Sequence, residues 1–203
     1  MDKKHLPRFV DRYLKKQGTL FVVSGPSGCG KTTLCDRLLK NRLGLVRSVS
    51  ATTRGLRGKE KNKKDYIYID RQEFDKHLAK GMFLEHAEVF GHYYATPKKF
   101  VGKCLRNNQD VLMNIDVQGA AQIKRKFKQA VLIFILPPTM EALDARLRNR
   151  SLDTRSQICK RLAIARKELV AIKIYDYVVI NDRIDKAVRQ LASIVTATRQ
   201  QIR

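Results

Sequence analysis

The sequence predicts an α/β fold in which a parallel β-sheet is covered by helices on both faces. Near-continuous runs of Val, Ile and Leu, typical of buried parallel strands, alternate with segments whose apolar residues recur at helical spacing. Such alternation indicates parallel strands joined by right-handed helical crossovers. The predicted strands are 19–24, 110–115, 130–136 and 175–180, and the predicted helices are 31–41, 97–108, 117–127, 139–148, 155–172 and 184–201.

The first predicted strand runs into a glycine-rich loop and then into a helix. Gly25, Gly28 and Gly30 let the backbone curl so that successive N–H groups point at an anion, and the helix that begins near Lys31 adds its positive dipole end. The spacing Gly-x-x-x-x-Gly-Lys-Thr in this context is that of a P-loop, in which Lys31 reaches the β- and γ-phosphates and Thr32 binds Mg²⁺. The sequence therefore predicts a P-loop NTPase-type sheet that binds a nucleoside triphosphate.

Two segments interrupt the alternation of strands and helices. Residues 50–96 contain a strand-like stretch at 66–69, a helix capped by Asp70, and a hairpin pattern over 83–94. We expect this segment to form a small subdomain inserted over the mouth of the sheet. Residues 148–156 are polar and basic between two predicted helices, which is the pattern of a mobile lid over phosphates.

The composition describes a strongly basic chain that can bury a full core. Of its 203 residues, 43% are hydrophobic and 30% are charged, and the formal net charge is +23. No apolar run approaches the ~20 residues that cross a bilayer, and residues 1–17 read as a basic N-terminal extension without the apolar core of a secretory signal. The four cysteines form no Cys-x-x-Cys pair, which favours a reducing cytoplasm. The charge indicates polyanionic partners, and nucleotides and nucleic acids both qualify.

Motifs along almost the whole chain, roughly residues 18–200, resemble those of guanylate kinases. Together with the P-loop, and in the same order, the matching segments are Ser50-Ala51-Thr52-Thr53-Arg54, Arg57-Gly58-Lys59-Glu60, Asp65-Tyr66, Phe83-Leu84-Glu85-His86-Ala87, Tyr93-Tyr94-Ala95-Thr96-Pro97, Ile115-Asp116-Val117-Gln118-Gly119-Ala120, Phe134-Ile135-Leu136-Pro137-Pro138, Lys160-Arg161-Leu162 and Val179-Ile180-Asn181-Asp182. Apart from the P-loop each segment is a weak signal, whereas the ordered set is a strong one.

The resemblance implies transfer of the γ-phosphoryl group of ATP to GMP or dGMP, with Mg²⁺ accompanying the ATP. It also implies three parts in one kinase domain over 18–203. These are a core at 18–49 and 97–203, a subdomain for the nucleoside monophosphate at 50–96, and a lid at about 145–160. A homodimer is compatible with the sequence but is not indicated by any pattern in it.

The same resemblance assigns residues to the acceptor nucleotide. Arg54, Arg57 and Tyr66, assisted by Tyr94, should hold the GMP phosphate through charge-assisted hydrogen bonds. Glu85 should accept hydrogen bonds from N1–H and N2–H of guanine, a pair of donors that adenine lacks. The full acceptor set is Ser50, Arg54, Arg57, Glu60, Tyr66, Glu85, Tyr94, Thr96 and Asn114.

The donor nucleotide and the phosphoryl transfer receive a second set of residues. Thr32 and Asp116 are expected to hold Mg²⁺, directly or through water. The ATP-binding set is Gly25, Pro26, Ser27, Gly28, Cys29, Gly30, Lys31, Thr32, Thr33 and Asn181, and the catalytic set is Lys31, Arg54, Arg146, Arg150 and Arg161.

Departures from the family pattern leave alternatives open. Asn114 stands where the family usually has an aspartate that helps to read guanine, and Ala95 stands where glycine is common. These residues favour weaker GMP binding or a relaxed base preference. The alternatives are therefore a kinase of the same fold that acts on another monophosphate or a sugar phosphate, a non-enzymatic module, and a basic P-loop protein that binds nucleic acid.

Overall fold

The computed structural model describes residues 17–58, 60–149 and 154–201. Arg150 and nearly all of the predicted N-terminal extension lie outside these residues, as does part of the predicted lid. The strands are β1 Leu20–Ser24, β2 Val46–Arg47, β3 Ala51–Thr52, β4 Ile67–Tyr68, β5 Phe83–Val89, β6 His92–Pro97, β7 Val111–Asn114, β8 Val131–Leu136 and β9 Tyr177–Ile180. The helices are α1 Lys31–Lys40, α2 Arg71–Ala79, α3 Lys98–Arg106, α4 Val117–Lys126, α5 Met140–Arg148, α6 Arg155–Leu169 and α7 Ile184–Arg199, with a 3₁₀ turn at Val170–Ile174.

The central sheet confirms the predicted parallel α/β architecture. Its strands lie in the order β2-β7-β1-β8-β9, and all of the pairings are parallel. The four predicted strands and six predicted helices all occur, with ends within a few residues of the predicted ones, except that the α6 pattern continues into the 3₁₀ turn. Strands β2 and β3 have two residues each and were not predicted, because such short strands show no periodicity.

Apolar side chains cover both faces of the central sheet. On one face, Phe21, Val23 and Ile133 belong to a cluster that α1 and α7 complete. On the other face, Val22 and Met113 pack in a cluster with residues of α3 and α4. Alternate residues of β1 therefore point to opposite helical layers, which explains why this strand reads as a continuous apolar run.

Residues 51–97 form a second sheet with the order β4-β3-β6-β5. Strands β5 and β6 make an antiparallel hairpin, and β3 pairs antiparallel with β6 and parallel with β4. Helix α4 joins this sheet to the core, because Gln122 exchanges hydrogen bonds with the backbone of His86 and Lys126 Nζ donates to Leu84 O at 2.7 Å. The sheet is thereby held beside the carboxyl end of the central sheet.

A buried carboxylate ties the start of the central sheet to the last helix. Asp110 is 8% exposed, and its Oδ1 accepts from Thr19 N at 2.6 Å. Its Oδ2 accepts from Arg199 Nε at 2.8 Å, and Arg199 also donates to Leu43 O. Because Asp110 and Thr19 precede the paired strands β7 and β1, this contact fixes the amino end of the sheet against α7. No helix in the described part of the chain is long and apolar enough to cross a membrane.

We expect Asp110→Ala to lower the free energy of unfolding by about 2–4 kcal/mol, because it leaves a buried N–H and an arginine without their acceptor. Urea denaturation measures the change. Asp75→Ala is the matched control, since Asp75 forms an exposed pair with Arg71, and it should cost no more than about 0.5 kcal/mol. Equal losses in the two variants would contradict the assigned role of Asp110.

Candidate active site

A cavity of about 320 Å³ lies between the carboxyl end of the central sheet, the second sheet and α6. Parallel pairing of β1 with β7 brings the P-loop, which follows β1, next to the residues that follow β7. Of the residues predicted from sequence, the cavity is lined by Gly25, Ser27, Gly28, Gly30, Lys31, Thr32, Ser50, Arg57, Tyr66, Glu85, Tyr94, Asn114, Asp116 and Arg161. Pro26, Cys29, Thr33, Arg54, Glu60, Thr96, Arg146 and Asn181 do not line it.

The P-loop closes on its own lysine. Lys31 Nζ donates to the carbonyl oxygens of Gly25 and Pro26 at 2.6 and 2.9 Å, which holds the ammonium group inside the loop. Gly30, at φ 93°, caps α1 in a left-handed conformation that suits glycine. A Cβ at this position would also overlap the amide of Asn181. The first turn of α1 contains no acidic residue to oppose an anion at its amino end.

The structure corrects the predicted role of Asn181 as a contact on the adenine side. Asn181 is 3% exposed, and its Nδ2 donates to Cys29 O at 2.8 Å from behind the loop. Cys29 itself is a backbone participant only, because its thiol is fully buried in the apolar core. Arg146, predicted to be catalytic, donates to Asn181 O at 2.8 Å and therefore supports the same layer. These three residues hold the P-loop in shape without lining the cavity.

Asn114 also lies elsewhere than predicted. The resemblance placed it at the guanine edge, whereas its Nδ2 donates to Thr32 Oγ1 at 3.1 Å. Asn114 is the last residue of β7 and pairs in register with Val23, so its amide faces the P-loop side of the cavity. The structure thus brings Asn114 to the hydroxyl that was predicted to bind Mg²⁺.

Asp116 caps helix α4 and shares the cavity with Thr32. Its Oδ1 accepts from the backbone N–H groups of Gln118 and Gly119 at 2.7 and 3.0 Å, so Oδ2 is the oxygen that these bonds leave for a ligand. Within the described residues, His, Cys, Asp and Glu form no group of three or more that could hold a metal ion. Thr32 and Asp116 therefore suit a Mg²⁺ ion that takes most of its oxygen ligands from phosphate and water.

Glu85 is a buried carboxylate at the opposite end of the cavity. It is 2% exposed, and its Oε1 accepts from Thr96 Oγ1 at 2.6 Å. Burial raises the pKa of Glu85 to about 7, and the nearby charge of Asp116 acts in the same direction. The backbone of Gly119 approaches so closely that a Cβ there would overlap the carboxylate. Glu85 is therefore a rigidly held acceptor at neutral pH, and Thr96 orients it without lining the cavity.

The predicted phosphate-binding arginine pair is divided in the structure. Arg54 is 6% exposed, and its guanidinium donates to both carboxylate oxygens of Glu60 at 2.8 and 2.9 Å. Arg54 also donates to Gly55 O and to Tyr94 Oη. Arg57, by contrast, lines the cavity. The structure therefore places Arg54 as an internal partner of Glu60, where the sequence had predicted a residue that grips the acceptor phosphate.

Glu60 organises the loop between β3 and β4. Besides Arg54, it accepts from Tyr68 Oη at 2.6 Å and from the backbone N–H of Arg57 at 2.9 Å. Burial acts against the ionised form, but the hydrogen bonds from Arg54 and Tyr68 prevail and lower the pKa of Glu60. The predicted direct contact between Glu60 and the acceptor is thus replaced by a role in holding the Arg57 backbone. Tyr68, which completes this network, was missed because nothing in its sequence context distinguishes it from a strand residue.

Helix α6 contributes a further carboxylate that the sequence reasoning missed. Arg161, Ile164 and Glu168 are spaced at i, i+3 and i+7, and all three line the cavity. Oε2 of Glu168 is buried without a hydrogen-bond partner. Burial raises the pKa of Glu168, whereas the nearby Lys31 ammonium acts to lower it. The helical spacing from Arg161 is the signal that could have identified Glu168.

Comparison with known proteins gives a consistent result. The family model described as "Guanylate kinase" matches residues 17–198. A curated guanylate kinase of Caldanaerobacter subterraneus is 46% identical over 91% of this chain and 89% of its own length. One from Wolbachia sp. subsp. Brugia malayi is 46% identical over 92% of this chain and 96% of its own length. The crystal structure of guanylate kinase from Anaplasma phagocytophilum superposes with a TM-score of 0.77, at 35% identity over 93% of this chain and 90% of that one.

The position of Asn181 behind the P-loop leads to a specific expectation. Asn181→Ala should weaken the binding of ATP and of inorganic tripolyphosphate by the same factor, about 5- to 30-fold, because it removes one buried hydrogen bond to the loop. Isothermal titration calorimetry measures both affinities, with the exposed Asn107→Ala as control. A loss confined to ATP would restore the predicted contact with adenine.

Proposed function

The chain belongs to the guanylate kinase family, and on that premise we propose that it transfers the γ-phosphoryl group of ATP to GMP, giving ADP and GDP. The observation that carries this proposal is that one cavity is lined both by the P-loop lysine, Lys31, and by Arg57, Tyr66 and Glu85 from the second sheet. A donor triphosphate and an acceptor monophosphate can therefore meet without crossing solvent.

The donor triphosphate would be held by the P-loop. Its backbone N–H groups and the amino end of α1 would face the phosphates, and Lys31 would exchange its contacts with the loop carbonyls for phosphate oxygens. Thr32 and Asp116 would hold Mg²⁺, which supplies charge neutralisation on the β- and γ-phosphates when bound. Asn114 would orient the Thr32 hydroxyl through their hydrogen bond.

The acceptor would lie against the second sheet. Ionised Glu85 would accept from N1–H and N2–H of guanine, with Ser50 beside it in the cavity wall. Adenine would present a lone pair to this buried carboxylate, and the resulting unpaired charge would disfavour AMP. Arg57, Tyr66 and Tyr94 would bind the phosphate, while Arg54 and Glu60 hold the loop that carries Arg57.

Phosphoryl transfer then requires positioning and charge stabilisation more than covalent chemistry. An oxygen of the GMP phosphate attacks the γ-phosphorus as the bond to the β–γ bridging oxygen breaks. Arg161, which lines the cavity from α6, would neutralise charge on the migrating group together with Lys31. Arg150 is proposed for the same role on the basis of the family resemblance alone. The case for another acceptor rested on Asn114, and its contact with Thr32 removes that reason.

A panel of acceptors tests the proposed reaction. With ATP and Mg²⁺, we expect turnover of GMP and dGMP to exceed that of AMP, CMP and UMP by at least ~100-fold, since a mismatched base leaves Glu85 unpaired. A coupled assay for ADP measures the rates. Lys31→Ala should abolish turnover and so exclude a contaminating kinase. Equal rates with another monophosphate, or none together with salt-sensitive RNA binding, would overturn the proposal.

The raised pKa of Glu85 predicts that GMP binds more tightly as the pH rises. The ionised carboxylate is the form that accepts from guanine, and a pKa of about 7 makes this form the minority below neutrality. The affinity for GMP should therefore increase roughly tenfold between pH 6 and pH 8. Calorimetric titration at each pH measures it.

Glu85→Gln is the matched control for this pH dependence. The variant keeps the titration of the GMP phosphate and removes that of residue 85, so the ratio of the two affinities isolates the carboxylate. We expect the ratio to rise with pH. Parallel pH profiles in the two proteins would contradict the assignment of Glu85 to the guanine base.

A further inference from the structure

The turn between β5 and β6 carries an aromatic residue in an unfavourable backbone conformation. Phe90 has φ 52° and is followed by Gly91 at φ 77°. Two-residue turns of this kind favour Asn, Asp or Gly, and a bulky residue in the left-handed region is uncommon and costs of order 1 kcal/mol. Phe90 is also 44% exposed, so it gains little from burial. Neither turn geometry nor core packing accounts for a phenyl ring here.

The ring of Phe90 lies against the catalytic side of the cavity. The guanidinium carbon of Arg161 is 4.8 Å from the ring centroid, within the range of a cation–π contact. Phe90 belongs to the hairpin of the second sheet, Arg161 belongs to α6, and both line the cavity. The contact therefore spans the cavity from the acceptor half to the helix that follows the predicted lid.

We propose that Phe90 is a positioning residue for Arg161, which rests on the proposed role of Arg161 in phosphoryl transfer. Arginine loses substantial rotamer freedom when it is fixed, and a ring already in contact with it reduces that loss during the reaction. A guanidinium that stacks through its face keeps its in-plane N–H groups in the geometry that pairs with phosphoryl oxygens. Phe90 thus orients the arginine without competing for those donors.

Position in the chain gives this contact a second consequence. Because Phe90 is carried by the acceptor half, Arg161 is held in place when the hairpin lies against α6. If the two halves separate, the arginine loses its support. The arrangement of the catalytic charge is thereby tied to the closeness of the two sides of the cavity.

Steady-state kinetics test the proposal with a matched control. Phe90→Ala should lower kcat for GMP by about two- to fivefold, the range of a single cation–π contact, and leave the KM values for ATP and GMP within about twofold. Phe90→Trp should retain the wild-type kcat. Phe100→Ala removes a phenyl ring of similar exposure, 43%, from α3 and should have no effect.

A double-mutant cycle separates positioning from an independent effect. In an Arg161→Ala background, the further change Phe90→Ala should cost nothing, since the ring acts through the arginine. Additive losses would overturn the proposal. A normal kcat in Phe90→Ala would also overturn it, as would a change confined to the KM for GMP, which would make Phe90 a direct contact of the acceptor.

A spectroscopic readout is independent of catalysis. Cys159 on α6 is exposed, whereas Cys29, Cys35 and Cys104 are buried, so a thiol-reactive spin label reports on this helix two residues from Arg161. The label should become more mobile in Phe90→Ala and stay unchanged in Phe100→Ala. If the wild type fails to phosphorylate GMP, the proposed function fails while this result still tests the contact. Identical spectra in all proteins would overturn the contact itself.

Discussion

The parallel pairing of β1 with β7 is the constraint on which the site depends. It places Val23 beside Asn114, so that the P-loop and the loop that follows β7 emerge at the same edge of the sheet. Thr32 and Asp116 share one cavity for this reason, although they are far apart in the sequence. Helix α4, which Asp116 caps, then carries the second sheet and brings Glu85 to the same cavity.

A second principle of the site is that many polar residues act on other residues rather than on a ligand. Arg54 and Glu60 neutralise each other and fix the backbone of Arg57. Asn181 holds the P-loop from behind. Such buried polar contacts are costly to break because each leaves a desolvated group unpaired. They give the few residues that face the cavity a fixed geometry before any nucleotide arrives.

How far the sequence predicts this structure depends on the range of the interaction involved. The strands of the central sheet and the P-loop were predicted because their signals are local, a run of apolar residues or a fixed glycine spacing. The positions of Arg54, Asn114 and Asn181 were not, because each is set by a partner distant in sequence or by the register of a strand pair. Residue type shows that an amide or guanidinium can bind phosphate, but it does not show which neighbour reaches it first.

The strand order has a consequence for synthesis of the chain on the ribosome. β1 is made first, yet its neighbours β7 and β8 follow only after the whole second sheet, and the tie from Asp110 needs Arg199 near the end of α7. The β5–β6 hairpin, in contrast, pairs residues close in sequence and can form as soon as it emerges. The nascent chain therefore completes part of its acceptor half early, whereas the phosphate loop waits for the last third of translation to gain its supports.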